Sequence, residues 1–534
     1  MTEKISFKKL LEHFWRENAL IFIIFIIIAG SKSLTSFITG EMINQLIDYR
    51  FEAFLKGGLI NLAFYGVFLL FTYWSIVGRS RTSEKMQTYL RQFIMQKLAS
   101  TSYQSYEQKT PGTYASWLSN DVGTIGSQSI SPFYQVSQFI LEGSVALMSL
   151  YFVHEYLFLL ATFFVGLLIF LPRLFSKSLQ KASLESATQN ENFLSQVTDC
   201  LSAYRTVIAY QQFPYILKKI KESSQRLGKS KIHFNRILGY VIVSGGFMNI
   251  VGQLSLLVLT GYLIFKGEIS VGMFAATSSL SAMIFNAFGN ISQMIAEINS
   301  TAPLFEKFNQ VSIRTVNEGQ SEISSGYELS QLSYRYKDQW ILKDLSYCFE
   351  LGKKYAIVGA SGTGKSTLLN ILSGRYTDYQ GSVQLSGQEM GDFDFYTLAG
   401  DILYIDQDPH IFEASVRENL VLGDCFSDEA IWRALERVRL DKEIRELPGD
   451  LDYVLAQEGQ TLSGGQLQRL SLARGILREK KIILLDEITS ALDATNADKI
   501  VSNFLQDPNL TVIMISHHLQ EKDKKLLDDI LHLG

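Results

Sequence analysis

Cysteine is scarce in this 534-residue chain: Cys200, Cys348 and Cys425 are the only three, and no two stand in a C-x-x-C spacing. That excludes a disulfide-stapled scaffold and a cysteine zinc cluster. An excess of positive charge is missing too, since 49 Lys and Arg face 53 Asp and Glu for a formal net charge of −4. A strongly basic nucleic-acid binder is therefore disfavoured. With 47% hydrophobic and 19% charged residues, the chain also lacks the composition of a disordered tail. Proline, which breaks helices, occurs only eight times. The mean hydropathy of +0.10 looks ordinary but averages two unlike halves. Apolar runs crowd the first 300 residues, and the last 220 have the mixed texture of a soluble α/β domain. Length alone, at about 150 residues per domain, would suggest three or four domains. The hydropathy split argues instead for two, residues 1–315 and 316–534.

A bilayer core takes about 20 apolar residues per helix. Six stretches qualify, at about 19–38, 59–77, 133–153, 156–175, 239–265 and 269–291. His154-Glu155 and Lys266-Gly267-Glu268 are the very short connections of two helical hairpins. Lys and Arg are retained on the cytoplasmic side. They crowd the segment after the second stretch (Arg79, Arg81, Lys85, Arg91, Lys97, Lys109) and the one after the fourth (from Arg173 to Arg236). The opposite-side connections hold only Arg50, Lys56 and Lys266. Both chain ends are thus expected in the cytoplasm, in a multi-pass protein of the cell membrane. The two basic segments contain almost no proline, so they are expected to be long helices extending past the bilayer, with a break at Thr110-Pro111-Gly112. Ile5, Phe7, Leu10, Leu11, Phe14 and Trp15 recur at helical spacing beside Lys4, Lys8, Lys9 and Arg16, as expected of an interfacial helix over 4–17. A cleaved signal peptide fits poorly, because the first apolar stretch outruns a signal core and five more follow.

In the second half, beyond a polar linker at 309–325, a strand-like 354–358 leads into Gly359-Ala360-Ser361-Gly362-Thr363-Gly364-Lys365-Ser366, with Thr367 opening a helical stretch. This is G-x-x-x-x-G-K-S in the strand–loop–helix setting that a phosphate-binding loop requires. Glycines let backbone N–H groups wrap phosphates, and the helix N-terminus favours anions. Lys365 can neutralise the β and γ oxygens, and the Ser366 hydroxyl can ligate Mg²⁺. A second strand, 481–485, ends in Asp486-Glu487. Carboxylates at the C-terminal end of a buried parallel strand lie beside the phosphates. Asp486 suits the Mg²⁺ shell, and Glu487 suits polarisation of the attacking water. Between these motifs, Leu462-Ser463-Gly464-Gly465-Gln466 opens another helix, a second anion-binding N-terminus that one nucleotide pocket does not need.

The order of these motifs resembles the ATP-binding cassette superfamily, in which the LSGGQ signature of one cassette caps the γ-phosphate held by another. The resemblance implies further roles. Tyr336 is similar to the aromatic that stacks on adenine, and Gln407 to the Q-loop glutamine that touches Mg²⁺. Ser490-Ala491-Leu492-Asp493 is similar to the D-loop, and His517 to the switch histidine at the γ-phosphate. One departure is Val454-Leu455-Ala456-Gln457-Glu458-Gly459, which does not reproduce the Val-Gly-Glu-type loop of many exporters. Six spans followed by one cassette resemble bacterial half-transporters of exporter fold. Residues 106–125 resemble the region of the first coupling helix, and 198–212 that of the second. No cysteine-peptidase domain precedes the first span, which argues against a leader-cleaving peptide exporter.

The resemblance implies an ATP hydrolase coupled to transport, with ATP and Mg²⁺ as ligands and alternating access as the mechanism. Each composite site takes a P-loop and a signature from different cassettes, so a second half-transporter is required. A homodimer is the simplest solution, and a heterodimer with a related chain also fits. Export of an amphipathic small molecule, peptide or lipid is expected, with import of siderophore-like cargo as the alternative. A nucleic-acid partner is not expected. Within the sixth span, Asn286, Asn290, Gln293 and Glu297 fall on one helix face and are candidates to line the pathway. Their lower members could equally sit in cytoplasmic water. Lys32 and Glu142 are isolated ionisable residues in spans one and three. Snorkelling or interhelical pairing suits them better than substrate contact.

Overall fold

Long apolar stretches with few helix breakers give long helices, and the first half of the chain is built from them. The computed structural model describes residues 4–170, 174–310, 323–336, 339–393, 395–406, 409–455, 462–486, 500, 502–516 and 524–534. It divides into two units: Met1–Ala99 with Thr110–Val311, and Ser100–Lys109 with Ser312–Gly534. The short segment Ser100–Lys109 therefore groups with the C-terminal part of the chain, although it lies in sequence among the long helices.

In the first unit, a helix over Phe7–His13 is capped by the Ser6 hydroxyl and ends at Phe14, where the long Trp15–Ile47 helix begins. Phe51–Ala99 and Phe213–Phe265 run for 49 and 53 residues. At about 1.5 Å per residue these helices reach roughly 70–80 Å, more than twice the ~30 Å of a bilayer core. Thr110 has extended geometry, and Pro111 opens the next helix at its first turn, where a missing N–H costs nothing. That helix, Pro111–Val153, contains π-helical turns at Trp117–Asp121 and Gly126–Ile130. Extended His154 separates it from Glu155–Phe170. Ser176–Ser202, Tyr204–Tyr210, Met273–Ser300 and Ala302–Asn309 are further helices among its described residues.

Among the described residues, four helices are long and apolar enough to cross a membrane: Trp15–Ile47, Phe51–Ala99, Pro111–Val153 and Phe213–Phe265. Glu155–Phe170 is apolar but short, its described part ending at residue 170. Met273–Ser300 has the length, at 28 residues, but its serines and asparagines lower its hydropathy. Its polar side chains are partly accommodated by packing, with Thr277 and Ser281 buried. Small residues permit close approach of the helices. A Cβ on Gly272 would lie 1.9 Å from the carbonyl oxygen of Gly40. Lys32 Nζ lies 2.7 Å from Glu142 Oε2, and the other Glu142 oxygen accepts from Gln138 Nε2 at 2.7 Å. These two isolated ionisable residues are thus interhelical partners.

Among its described residues the second unit has nine strands: β1 (Tyr327–Tyr336), β2 (Gln339–Phe349), β3 (Lys354–Val358), β4 (Gln380–Leu385), β5 (Gln388–Glu389), β6 (Ile402–Ile405), β7 (Ile482–Asp486), β8 (Thr511–Ile515) and β9 (Asp529–His532). An antiparallel sheet has the order β2-β1-β4-β5, and a parallel one the order β6-β7-β8-β3-β9. Every residue of β7 and β8 is buried, as their unbroken apolar sequences require of a sheet covered on both faces. Alternation along these strands assigns the covers. Ile482, Leu484, Ile513 and Ile515 pack with Leu368, Leu369, Ile371 and Leu372 of the Lys365–Leu372 helix. Ile483, Leu485, Val512 and Met514 pack with Leu470, Leu472 and Ala473 of the Gly464–Ile476 helix. The two helices therefore lie on opposite faces of one sheet. Each fully buried Leu or Ile contributes about 1.5–3 kcal/mol, so both helix positions are firmly held.

Candidate functional site

The phosphate-binding sequence forms a loop between β3 and the Lys365–Leu372 helix. Gly364 precedes that helix at φ +90°, a conformation strained for any residue with a Cβ. Lys365 is 5% exposed. Its Nζ donates to the carbonyl oxygens of Gly359 at 3.0 Å and Ala360 at 2.8 Å, so its charge is held over the loop. Ser366 Oγ donates to Asp486 Oδ1 at 3.2 Å. A hydroxyl beside a carboxylate is a hard-oxygen donor pair, and such a pair fits a Mg²⁺ ion that takes its remaining ligands from phosphate and water. The first turn of the helix supplies orphan N–H groups and a favourable dipole for the phosphates themselves.

Asp486 has a second partner that sequence reasoning missed. The Tyr404 hydroxyl donates to its Oδ2 at 2.9 Å. Burial, together with that carboxylate, pushes the Tyr404 phenol far above its ordinary pKa, so it stays a donor at neutral pH. Arg375 lies against Tyr404 and binds Asp406 through two N–H···O contacts of 3.0 and 3.3 Å. Burial works against the Arg375 charge, but Asp406 more than offsets this and raises its pKa. The Tyr103–Glu107 helix docks here as well. Arg375 lies 4.6 Å from the Tyr103 ring centroid, and Tyr376 donates to Glu107 Oε2 at 2.9 Å. Tyr376 in turn stacks on Tyr334, ring centroids 5.6 Å apart. The available signal was a cluster of tyrosines around one arginine, but tyrosines of this kind have many structural uses.

Other expected residues are placed as follows. Tyr336 stands at the end of β1 with 60% of its surface exposed. Ser463 caps the Gly464–Ile476 helix: its Oγ accepts from the Gln466 amide at 3.3 Å, and its own amide donates to Gln466 Oε1 at 2.7 Å. Gly464 and Gly465 form the first turn behind this cap. Gln407, Glu487, Asp493 and His517, and most of the atypical segment 454–459, lie outside the described residues. In the first unit, Asn286, Asn290 and Gln293 are exposed and Glu297 is half-buried. Asn249 donates to Asn286 Oδ1 at 3.1 Å, and Gln293 donates to Glu297 Oε1 at 3.0 Å. Asn249 extends this polar row onto the neighbouring helix, a contribution the single-span pattern could not reveal.

Membrane-length helices joined to a P-loop α/β unit define an ATP-driven membrane transporter. A family profile described as the ABC transporter transmembrane region matches residues 19–288, and one described as ABC transporter matches residues 342–490. The chain belongs to the ABC transporter family: its ATPase domain binds ATP with Mg²⁺ and couples hydrolysis to transport. It is 26% identical to the uncharacterized ABC transporter ATP-binding protein YwjA of Bacillus subtilis, over 89% of this chain and 86% of that one. It is 24% identical to the ATP-dependent lipid A-core flippase of Photobacterium profundum, over 82% and 77%. The mycobactin import ATP-binding/permease protein IrtB of Mycolicibacterium smegmatis matches at 29%, over 53% and 51%. A solved bacterial Atm1-family ABC exporter with ATP bound superposes with a TM-score of 0.83 at 18% identity, covering 98% of this chain and 94% of that one. The fold is thus of exporter type.

Proposed function

We propose that the chain is one half of a dimeric exporter that moves an amphipathic small molecule, peptide or lipid out across the cell membrane, with both termini and the ATPase domain in the cytoplasm. The observation that carries the dimer is the sheet itself. The P-loop helix and the signature helix cover opposite faces of it, so the second anion-binding N-terminus is best used by a partner's nucleotide. A homodimer is favoured because Lys365, Ser366, Asp486, Glu487, Ser463 and His517 are all present in one chain.

In this reading Tyr336 stacks on the adenine, and the amides of Gly359–Thr367 with Lys365 hold the phosphates. Ser366, Gln407 and Asp486 would hold Mg²⁺, which supplies charge neutralisation at the β and γ oxygens. Glu487 orients the attacking water and His517 contacts the γ-phosphate. Ser463, Gly464, Gly465, Gln466 and Asp493 complete the partner's site. Because nucleotide binds the closed cassette dimer better than the open one, it shifts the equilibrium between membrane states. Asn286, Asn290, Gln293 and Glu297 line the pathway, joined by Asn249. Import of siderophore-like cargo is the second reading, favoured by the similarity to a protein named for mycobactin import.

The test is to purify the chain alone in lipid nanodiscs. The expected result is a dimer whose ATPase activity is lost in Glu487→Gln; an inactive monomer would overturn the homodimer. Accumulation of test compounds inside inverted vesicles is expected for export, and uptake by intact cells would reverse the direction.

A further inference from the structure

An unbroken chain of contacts joins the Ser100–Lys109 segment to the carboxylate beside the P-loop. Arg375 lies 4.6 Å from the Tyr103 ring centroid and 3.9 Å from that of Tyr404. Its side chain is only 16% exposed, and the two bonds to Asp406 fix the plane of its guanidinium. Tyr404 then reaches Asp486 Oδ2, and Asp486 Oδ1 reaches Ser366. Glu107 on Tyr376 gives the docked helix a second anchor one residue along from Arg375. Every link is directional: a planar cation on aromatic faces, a two-point ion pair, a hydroxyl on one oxygen of a carboxylate. A carboxylate held at one oxygen offers the other in a fixed orientation, and loss of such outer partners typically weakens metal binding by about 10–100-fold.

We propose that Tyr404 and Arg375 are positioning residues through which docking of the Tyr103–Glu107 helix sets the orientation of Asp486, and with it the divalent-cation affinity of the nucleotide site. This rests on the reading of Asp486 and Ser366 as Mg²⁺ ligands. When the helix is seated, Arg375 is pinned between Asp406 and two rings, and Tyr404 cannot swing away from Asp486. When the helix leaves, Arg375 loses one face, Tyr404 gains freedom, and the carboxylate is less often in the binding orientation. The Tyr103–Glu107 helix thus acts on the metal site through its own docking point.

The test uses the full chain in lipid nanodiscs with a non-hydrolysable ATP analogue, and Mn²⁺ titrated by electron paramagnetic resonance as the probe. Nucleotide affinity is measured separately in EDTA with a fluorescent ATP analogue. Tyr404→Phe, which removes one oxygen only, is expected to weaken Mn²⁺ binding about tenfold. Tyr103→Leu and Arg375→Lys are expected to weaken it about threefold. Metal-free nucleotide affinity should stay within twofold in all three. Adding Tyr103→Leu to Tyr404→Phe should cause no further loss, because the link is already cut. Wild-type Mn²⁺ affinity in Tyr103→Leu, or multiplying losses in the double variant, overturns the relay. Asp486→Asn separates the two layers. If it leaves Mn²⁺ affinity unchanged, the ligand assignment fails and the relay falls with it. If it weakens binding while Tyr103→Leu does not, the relay alone is refuted.

Discussion

Removing one member of the Lys32–Glu142 pair should damage the membrane unit more than removing both. Lys32 Nζ and Glu142 Oε2 are 2.7 Å apart, and Glu142 also binds Gln138. The side chain of Glu142 is only 7% exposed, so Lys32→Met leaves a carboxylate with one neutral partner and no counter-charge. Stranding a buried charge in this way costs about 3–5 kcal/mol, and an unpaired lysine near the middle of a membrane helix costs about 2.5–3.5 kcal/mol. Replacing both by apolar residues of similar volume is often neutral or stabilising. The assay is the thermal midpoint of the full chain in nanodiscs for Lys32→Met, Glu142→Leu and the double variant. Both single variants should fall clearly below wild type, and the double should recover more than half of the larger loss. Basal ATPase activity of the double should follow its stability, since the pair fastens helices and contacts no nucleotide. Additive losses in the double would refute the reasoning, because they would mean that each group is satisfied without the other.

Three further outcomes follow from the second unit. Lys365→Ala removes the cation held over the phosphate loop and should lower ATPase activity by about 100-fold or more, measured at saturating Mg²⁺-ATP; a loss under threefold would remove Lys365 from the site. Asn419 is fully buried and bonds the Phe412 amide and the carbonyls of Phe412, Ala414 and Ser415. Asn419→Ala should therefore cost about 2–3 kcal/mol, seen as faster hydrogen exchange across 410–421. Burial opposes the charge of Asp528, but Lys353 Nζ and the Lys354 amide hold its pKa below the usual aspartate value. A lowered native pKa gives stability that is present above about pH 3.9 and lost as pH falls through the native value. Asp528→Asn should thus lower the thermal midpoint at pH 7 and flatten its decline toward pH 3, and parallel pH profiles would contradict this.

Much of the fold class was legible because its signals are dictated by backbone chemistry. Only glycines tolerate the turn at Gly364, and only an unbroken apolar run such as 482–485 suits a strand buried on both faces. Lys365, Ser366 and Asp486 come together because a parallel sheet brings the ends of β3 and β7 to one side. Partner choice was less legible. That Lys32 meets Glu142 depends on which helix faces pack, and no spacing within either helix encodes it. The polarity of Met273–Ser300 is of the same kind, since Thr277 and Ser281 are tolerated by neighbours distant in sequence. Tyr404 and Arg375 were invisible for another reason: their types have many structural uses, and their meaning here comes from the carboxylate and the helix they join.

The allegiance of Ser100–Lys109 to the C-terminal unit has a consequence for how the molecule is made. Glu107 and Tyr376 are 269 residues apart. At a synthesis rate of about 5–20 residues per second, Glu107 is incorporated roughly 13–54 s before Tyr376. Until then the Tyr103–Glu107 helix, too short to persist by itself, has no surface to fold on. Its seating is therefore among the last events of biogenesis, and a seated helix records that the two distant parts of the chain have both been completed.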